Sequence, residues 1–554
     1  MPTTNSPKGG NRPAQVTGDT PMASSLDVSV ENNGMERENV RPVAIALGGI
    51  SDIGGLILGY AIGDVSGYFS MLDFGRRFGV YNATTGEYDF DQSRQGTIVG
   101  LMPIGCLVGS LVAGNMADTL GRRYTIAVAA MFCIIGKVIE ISSSSSWVQF
   151  AMGRLVSGVA IGALSVVVPM YQSESSPARI RGLLISTYQF FITMGILIAE
   201  LVNFGTHHMT TSASWRITNG LSFLWSLLLL VGIFFLPESP RFMYRKGRED
   251  EARRTIARLA GLDVNSNTVT QQINDIRVKL EEERAGAETR WYQIFTDSGI
   301  RSRMILGIVL QAGQQLTGAN FFFYYGTTIF KATGLTDSYL TQLILGSVNV
   351  ACTFGGLYVV KKCGRRNSLI VGALWMTACF LVYSFVGHFA LDAEDPARTP
   401  AAGNVLIAVS CLFIAAFATT WGPLVWAVVA EFYPAKYRAP AMAVATASNW
   451  FFNFLLSFFT PFITAEIGYL YGLVFGGCCF VLAIIVFFFL IESKDRTLEQ
   501  IDTMYLMGVN PITSSKWDEK SLPTSSSSED HTSREFNLRD GQGDGHRFDE
   551  IKSA

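Results

Sequence analysis

Windows of about 20 mostly apolar residues, the length that crosses the hydrocarbon core of a bilayer, recur along the chain. They begin near Val43, Arg94, Thr125, Val148, Leu183 and Ile217, and again near Arg303, Leu340, Ser368, Asn404, Ala441 and Tyr469. This pattern predicts an all-α membrane protein of twelve transmembrane helices, six on either side of a polar stretch. Within that stretch GREDEARRTIARLAG and INDIRVKLEEERAG repeat apolar residues at helical spacing, so a helical linker is expected there. The chain accordingly divides into a polar tail, 1–42, a first six-helix half, 43–237, a linker, 238–301, a second half, 302–508, and a second polar tail, 509–554. Both tails carry few large apolar residues and are expected to be disordered. No apolar core of a cleavable leader precedes Arg41, so the first span is expected to act as its own insertion signal.

Composition agrees with lipid as the main solvent. Of 554 residues, 49% are hydrophobic and 16% charged, against about a quarter charged in a soluble domain. A net charge of −2 lacks the clustered basic surplus that nucleic acid would require. Eight cysteines form no C-x-x-C pair, and Cys106, Cys133, Cys411, Cys478 and Cys479 sit in apolar stretches as small hydrophobes. No nucleophile, metal cluster or phosphate loop rises above background, so neither an enzyme nor a cofactor is expected.

Basic residues in the short loops set the orientation. Arg122, Arg123, Arg179, Arg181, Lys361, Lys362, Arg365, Arg366, Lys436 and Arg438 mark one side as cytoplasmic, while Arg76, Arg77, Lys331 and Arg398 lie on the other. Both termini and the linker then face the cytoplasm, and the sequon Asn82-Ala83-Thr84 faces outward.

Three motifs occur twice, in the same order and about 250 residues apart, the mark of two homologous halves. Glu174-Ser-Ser-Pro-Ala-Arg-Ile-Arg181 returns as Glu431-Phe-Tyr-Pro-Ala-Lys-Tyr-Arg438. Asp118-Thr-Leu-Gly-Arg122-Arg123 returns as Lys361-Lys-Cys-Gly-Arg365-Arg366, and the Glu238 motif returns at Glu492. Carboxylates and arginines at helix ends form bidentate pairs that one packing of the halves makes and another breaks, which suggests an inner gate. Lys361 stands where Asp118 stands in the first copy and reverses the local charge.

The stretches GNMADTLGRR, PMYQSESSPARIRG, LPESPR, QQLTGANFFFYY and ESKDRTLEQ together resemble the sugar-porter family of the major facilitator superfamily over roughly residues 43–508. WGPLVWAVVAEFYP makes the likeness strongest to fungal high-affinity monosaccharide (glucose) transporters. The resemblance implies the major facilitator fold, two pseudo-symmetric halves, a plasma-membrane location and alternating-access uptake of glucose or another hexose. A facilitated uniporter and a non-transporting sugar sensor on the same fold are the alternatives, and the short C-terminal tail favours transport over sensing.

A pyranose offers hydroxyls and an apolar ring face, which amides and indoles suit. Amides deep in a span are costly unless they meet partners or water. Gln314, Gln315 and Asn320, followed by Tyr324 and Tyr325, occupy the seventh span, where Gly313 and Gly318 permit a bend. The resemblance assigns hydroxyl binding to Gln189, Gln314, Gln315, Asn320, Asn349 and Asn449, and ring contact to Trp426 and Trp450; Asn453 is a further isolated amide. Gly55, Gly59, Gly63 and Gly67 recur every fourth residue, as do Gly158 and Gly162, a spacing that lets helices approach closely.

Protons are the expected partner besides sugar and lipid, and proton-coupled symport is the expected mode of uptake. Proton-coupled members of the family resemble one another in a first-helix acid that pairs with a fourth-helix arginine. Here that position is Ala61, the arginine is Arg154, and the acid Asp64 lies one turn on, rotated about 60°. Asp64 and Arg154 are thus the proton-coupling candidates, and Lys137, Glu140 and Glu200 are further ionisable groups within spans.

Overall fold

The computed structural model describes residues 41–83, 88–177, 180–286, 293–331, 337–392, 398–434, 437–494, 496 and 498–517. Most of both tails, Arg179, Lys436 and Thr84 of the sequon lie outside them. The first half consists of α1 (Pro42–Tyr68), α2 (Gln92–Leu120), α3 (Arg122–Ser142), α4 (Trp147–Ser175), α5 (Arg181–Thr206) and α6 (Ala213–Ile233). The second comprises α7 in two pieces (Ser298–Leu316 and Ala319–Lys331), α8 (Ser338–Lys362), α9 (Arg365–Phe385), α10 in two pieces (Pro400–Thr419 and Trp421–Glu431), α11 (Arg438–Ile467) and α12 (Tyr471–Phe489). Nine segments of the described residues are long and apolar enough to cross a membrane, the last of them, Pro440–Phe489, holding both α11 and α12. With α7 and α8 the arrangement matches the expected two sets of six.

Local chemistry explains the boundaries. Pro42 and Pro400 open α1 and α10 at the first turn, where the missing N–H is no loss. Asp337 caps α8 by accepting from the N–H groups of Tyr339 and Leu340 at 3.0 and 3.2 Å. The break in α7 falls at Gly318, whose φ of +87° a side chain would oppose, so the bend sits there and Gly313 stays helical. Between α6 and α7 the short helices Pro240–Arg245, Glu249–Ala260 and Asn267–Gly286 pack Met243, Ala252, Ile256, Val269 and Ile273 into a small core of their own. The linker helices mark one end of the bundle; the antiparallel strands Val80–Tyr81 and Tyr88–Asp89 mark the opposite, hairpin end.

Within the first half α1 packs on α5 and α2 on α4, and the glycine ladders make these contacts backbone to backbone. A methyl at Gly55 would stand 2.8 Å from the Tyr188 carbonyl and one at Gly63 2.7 Å from that of Ile196; one at Gly59 would overlap the carbonyl of Ile192. Gly158 and Gly162 serve the α2 and α4 pair in the same way, against Met102 and Cys106. The halves meet where α2 packs on α11 and, by the same relation, α8 packs on α5. Leu228, Val371, Trp375, Phe488 and Phe489 are exposed on the outside of the bundle, as a lipid solvent requires.

Candidate functional site

Five amides converge between α7 and α11. Asn449 is the hub: its Nδ2 donates to the side-chain oxygens of Gln311 and Gln314 at 2.9 and 2.8 Å, and its Oδ1 accepts from Gln315 Nε2 at 2.9 Å. Asn320, just past the break in α7, donates to Gln315 Oε1 at 2.6 Å. Gln314 Nε2 donates to the carbonyls of Trp421 and Gly422 at 3.1 and 3.0 Å, where the break in α10 bares them. Sequence reasoning missed Gln311, which is fully buried with its Nε2 unpartnered. It meets the test that singled out the other amides and stands one turn before Gln314, so the signal was there to use. Trp450 packs among first-half residues such as Ile57, Met102 and Ile161, and its indole N–H is buried without a partner. Gln189 and Trp426 are half-buried and Asn349 is buried; none of the three hydrogen-bonds to the amide cluster. Tyr324 donates to Asn453 Oδ1 at 3.2 Å, one layer nearer the hairpin end. Unpartnered polar atoms on Gln311 and Trp450, beside amides already held in place, suit a ligand rich in hydroxyls.

In the first half, two acids and two bases form one buried cluster. Asp64 lies 3.3 Å from Arg154 and 3.2 Å from Lys137, and Lys137 lies 2.9 Å from Glu140. Ser157 and Asn219 complete Glu140 at 2.8 and 3.0 Å, and Arg154 also donates to the Ala61 carbonyl at 3.3 Å. One turn of displacement therefore leaves Asp64 within reach of Arg154. The pair expected from sequence, Asp64 with Arg154, is thus part of a charge-balanced unit of four that also holds Lys137 and Glu140. Satisfied, such a unit is tolerated in a dry interior; with one member missing it is costly.

The repeated motifs build the same device twice, on the linker end of each half. Glu174 takes both Arg122 Nη2, at 2.9 Å, and the Ser239 hydroxyl, at 2.5 Å; Glu431 takes Arg365 Nη2, at 3.5 Å, and the Ser493 hydroxyl, at 2.5 Å. Glu238 accepts from the backbone N–H groups of Arg122 and Arg123 and so caps α3, as Glu492 accepts from those of Arg365 and Arg366 and caps α9. Burial pushes the Glu238 carboxyl above its ordinary range, against the pull of its backbone donors and of Arg122. Arg123 and Arg366 donate to the carbonyls of Phe234 and Phe487 at 2.8 and 2.7 Å. Each of these contacts lies within one half or between the first half and the start of the linker, and none crosses between the halves. Asp118 adds contacts to Arg122 at 3.2 Å and Arg245 at 2.6 Å. Arg438 donates to the Tyr433 carbonyl at 3.2 Å, and the side chain of Arg181 lies outside the described residues.

Across the halves, hydrogen bonds gather toward the hairpin end. Thr327 bonds to the Ser66 carbonyl, Tyr339 donates to the Gly67 carbonyl at 2.7 Å, and Gln342 donates to Glu200 at 3.0 Å. The two halves are closed together there.

Residues 50–505 match the profile of a family described as sugar (and other) transporters. A high-affinity fructose transporter of Schizosaccharomyces pombe is 44% identical over 460 residues, 82% of this chain and 86% of that one. A high-affinity glucose transporter of the same yeast is 42% identical over 82% of this chain and 86% of its own. A low-affinity glucose transporter of Saccharomyces cerevisiae is 40% identical over 85% and 83%. Among solved structures, the inward open conformation of the xylose transporter XylE from E. coli superposes with a TM-score of 0.68 over 83% of this chain and 99% of that chain, at 24% identity. At that identity the likeness speaks for the fold, which is that of the major facilitator superfamily.

Proposed function

Because the chain belongs to the sugar transporter family, whose members are carriers and not enzymes, we propose that it moves a hexose, glucose or fructose, across the plasma membrane by alternating access. The observation that carries this reading is the amide cluster around Asn449, set where both α7 and α10 break and the indole of Trp450 reaches across from the second half. Gln311, Gln314, Gln315, Asn320 and Asn449 meet the sugar's hydroxyls, and Trp450 and Trp426 meet its ring; Gln189 and Asn349 complete the site from α5 and α8 as the halves close. The linker end faces the cytoplasm and the hairpin end faces outside. The Glu174 and Glu431 devices tie each half into a rigid unit, so the halves rock as bodies.

The charge balance of the Asp64 cluster favours facilitated transport. All four charges belong to the first half, so rocking leaves their distances unchanged, and a proton on Asp64 would strand a net positive charge in the bundle. Proton symport through Asp64 is the second reading, favoured by its contact with Arg154.

Labelled glucose and fructose uptake in transporter-deficient cells tests the proposal. Saturable uptake that mannitol does not inhibit is expected; no uptake by protein present at the surface would sink it and leave a sensor role. Uptake that a protonophore leaves unchanged supports facilitated transport, and collapse of accumulation supports symport.

A further inference from the structure

Glu200 lies on α5 toward the hairpin end, 2% exposed, on the seam with α8. Its Oε1 accepts from Gln342 Nε2 at 3.0 Å, while its Oε2 is buried without a partner. Gln342 Oε1 is also buried without a partner. The amide's orientation is set independently, because Nε2 donates a second time, to the Phe322 carbonyl at 3.2 Å. Each side chain thus keeps one buried oxygen without a donor, Glu200 Oε2 against Gly346 of α8 and Gln342 Oε1 against Gly326 of α7.

No ion pair involves Glu200 among the described residues, and the charged groups on the elements around it are engaged elsewhere. On α1 and α4, Asp64 and Arg154 hold each other. On α6, Arg216 donates to the Ser143 carbonyl at 3.3 Å. The neighbouring piece of α7 carries Tyr324 and Tyr325, bonded to Asn453 and to the Ser457 carbonyl, with Lys331 exposed at its end. On α8, Asp337 caps its own helix and Tyr339 bonds to Gly67; His207, at the end of α5, stacks on Tyr339 at 4.2 Å. Gly346 leaves room for the carboxyl, which a methyl there would overlap.

A neutral carboxylic acid and a primary amide close a ring of two hydrogen bonds, amide N–H to one carboxyl oxygen and carboxyl O–H to the amide oxygen. A proton on Glu200 gives this seam a second donor beside the Gln342 amide and removes an uncompensated charge from a buried contact. Resting on the hexose-carrier reading and its orientation, we propose that Glu200 and Gln342 form a proton-dependent latch: the outer ends of the halves close only when external water has given Glu200 a proton. Opening draws α5 from α8, wets the carboxyl and returns the proton to the same side. External pH then governs closure with no net proton carried inward, which separates the latch from symport.

Initial hexose uptake over a series of external pH values, in wild type and Glu200→Gln, tests the latch. Wild-type uptake should fall several-fold as external pH rises, without hexose-induced alkalinisation of the medium. The Gln variant, which pairs with Gln342 as the neutral acid does, should exchange labelled hexose at a rate that no longer responds to pH. A flat wild-type profile, or a variant that follows the wild type, overturns the latch while leaving the carrier reading intact. Should the wild type carry no hexose or the variant fail to fold, wild-type protein in lipid is treated with a hydrophobic carbodiimide, which reacts with protonated buried carboxyls. A mass-mapped adduct at Glu200 that declines with rising pH supports the latch, and no adduct there overturns it.

Discussion

At the scale of residues, the candidate groups are held by neighbours that the sequence named only in part. Asn449 ties Gln311, Gln314 and Gln315 together, so Asn449→Ala leaves buried amide groups unpaired, a loss of about 1–3 kcal/mol. Uptake kinetics normalised to surface expression should show apparent hexose affinity weakened about tenfold or more, since about 1.4 kcal/mol is a factor of ten. Asp64→Asn removes one of two negative charges from the buried cluster and should cost about 3 kcal/mol or more of stability. The purified variant should melt at a lower temperature than wild type, and adding Lys137→Met, which restores the balance of charge, should recover part of the loss. A double variant no more stable than Asp64→Asn alone would contradict the balanced cluster.

Helix ends and helix contacts form the next scale, and here the duplication makes a paired prediction. Glu238 and Glu492 cap α3 and α9 through the same two backbone N–H groups. Glu238→Gln and Glu492→Gln should therefore lower thermal stability by similar amounts, about 1 kcal/mol each, in melting curves of the purified protein. A defect confined to one half would show that the copies have diverged in role. The kink in α7 offers a second test. Gly318→Ala opposes a φ of +87°, at a cost of about 1–2 kcal/mol, and displaces Asn320 relative to Gln315. Hexose uptake should fall more than surface expression does.

The whole molecule is two similar halves closed together at the hairpin end. Ser66 Oγ and Thr327 Oγ1 lie 3.5 Å apart across that seam, which makes the pair a site for an engineered crosslink. Oxidation of Ser66→Cys with Thr327→Cys should lock the outer ends and stop uptake, and a reductant should restore it; uptake unaffected by a verified crosslink would mean that these ends do not part during transport. Spans, linker, duplicated motifs and many of the intramembrane amides and charges were legible in the sequence, because length, periodicity and repetition are properties of the chain taken in order; Gln311 and Asp52, both buried in spans, were passed over. Bonding partners, Arg154 beside Asp64 apart, were not. Asp64, Asp52 and Glu200 are three acids in apolar spans, yet one is held by two cations, one by Gln172 and Thr187, and one by a single amide across the seam. Those partners lie from about 70 to about 140 residues away, on faces set by how neighbouring helices rotate and approach. The same holds for the repeated carboxylates, whose spacing suggested contacts that change as the halves move but whose partners lie within each half. The order of residues alone determined which costly groups enter the membrane; only tertiary packing decided what compensates each of them, because that compensation depends on contacts between distant helices.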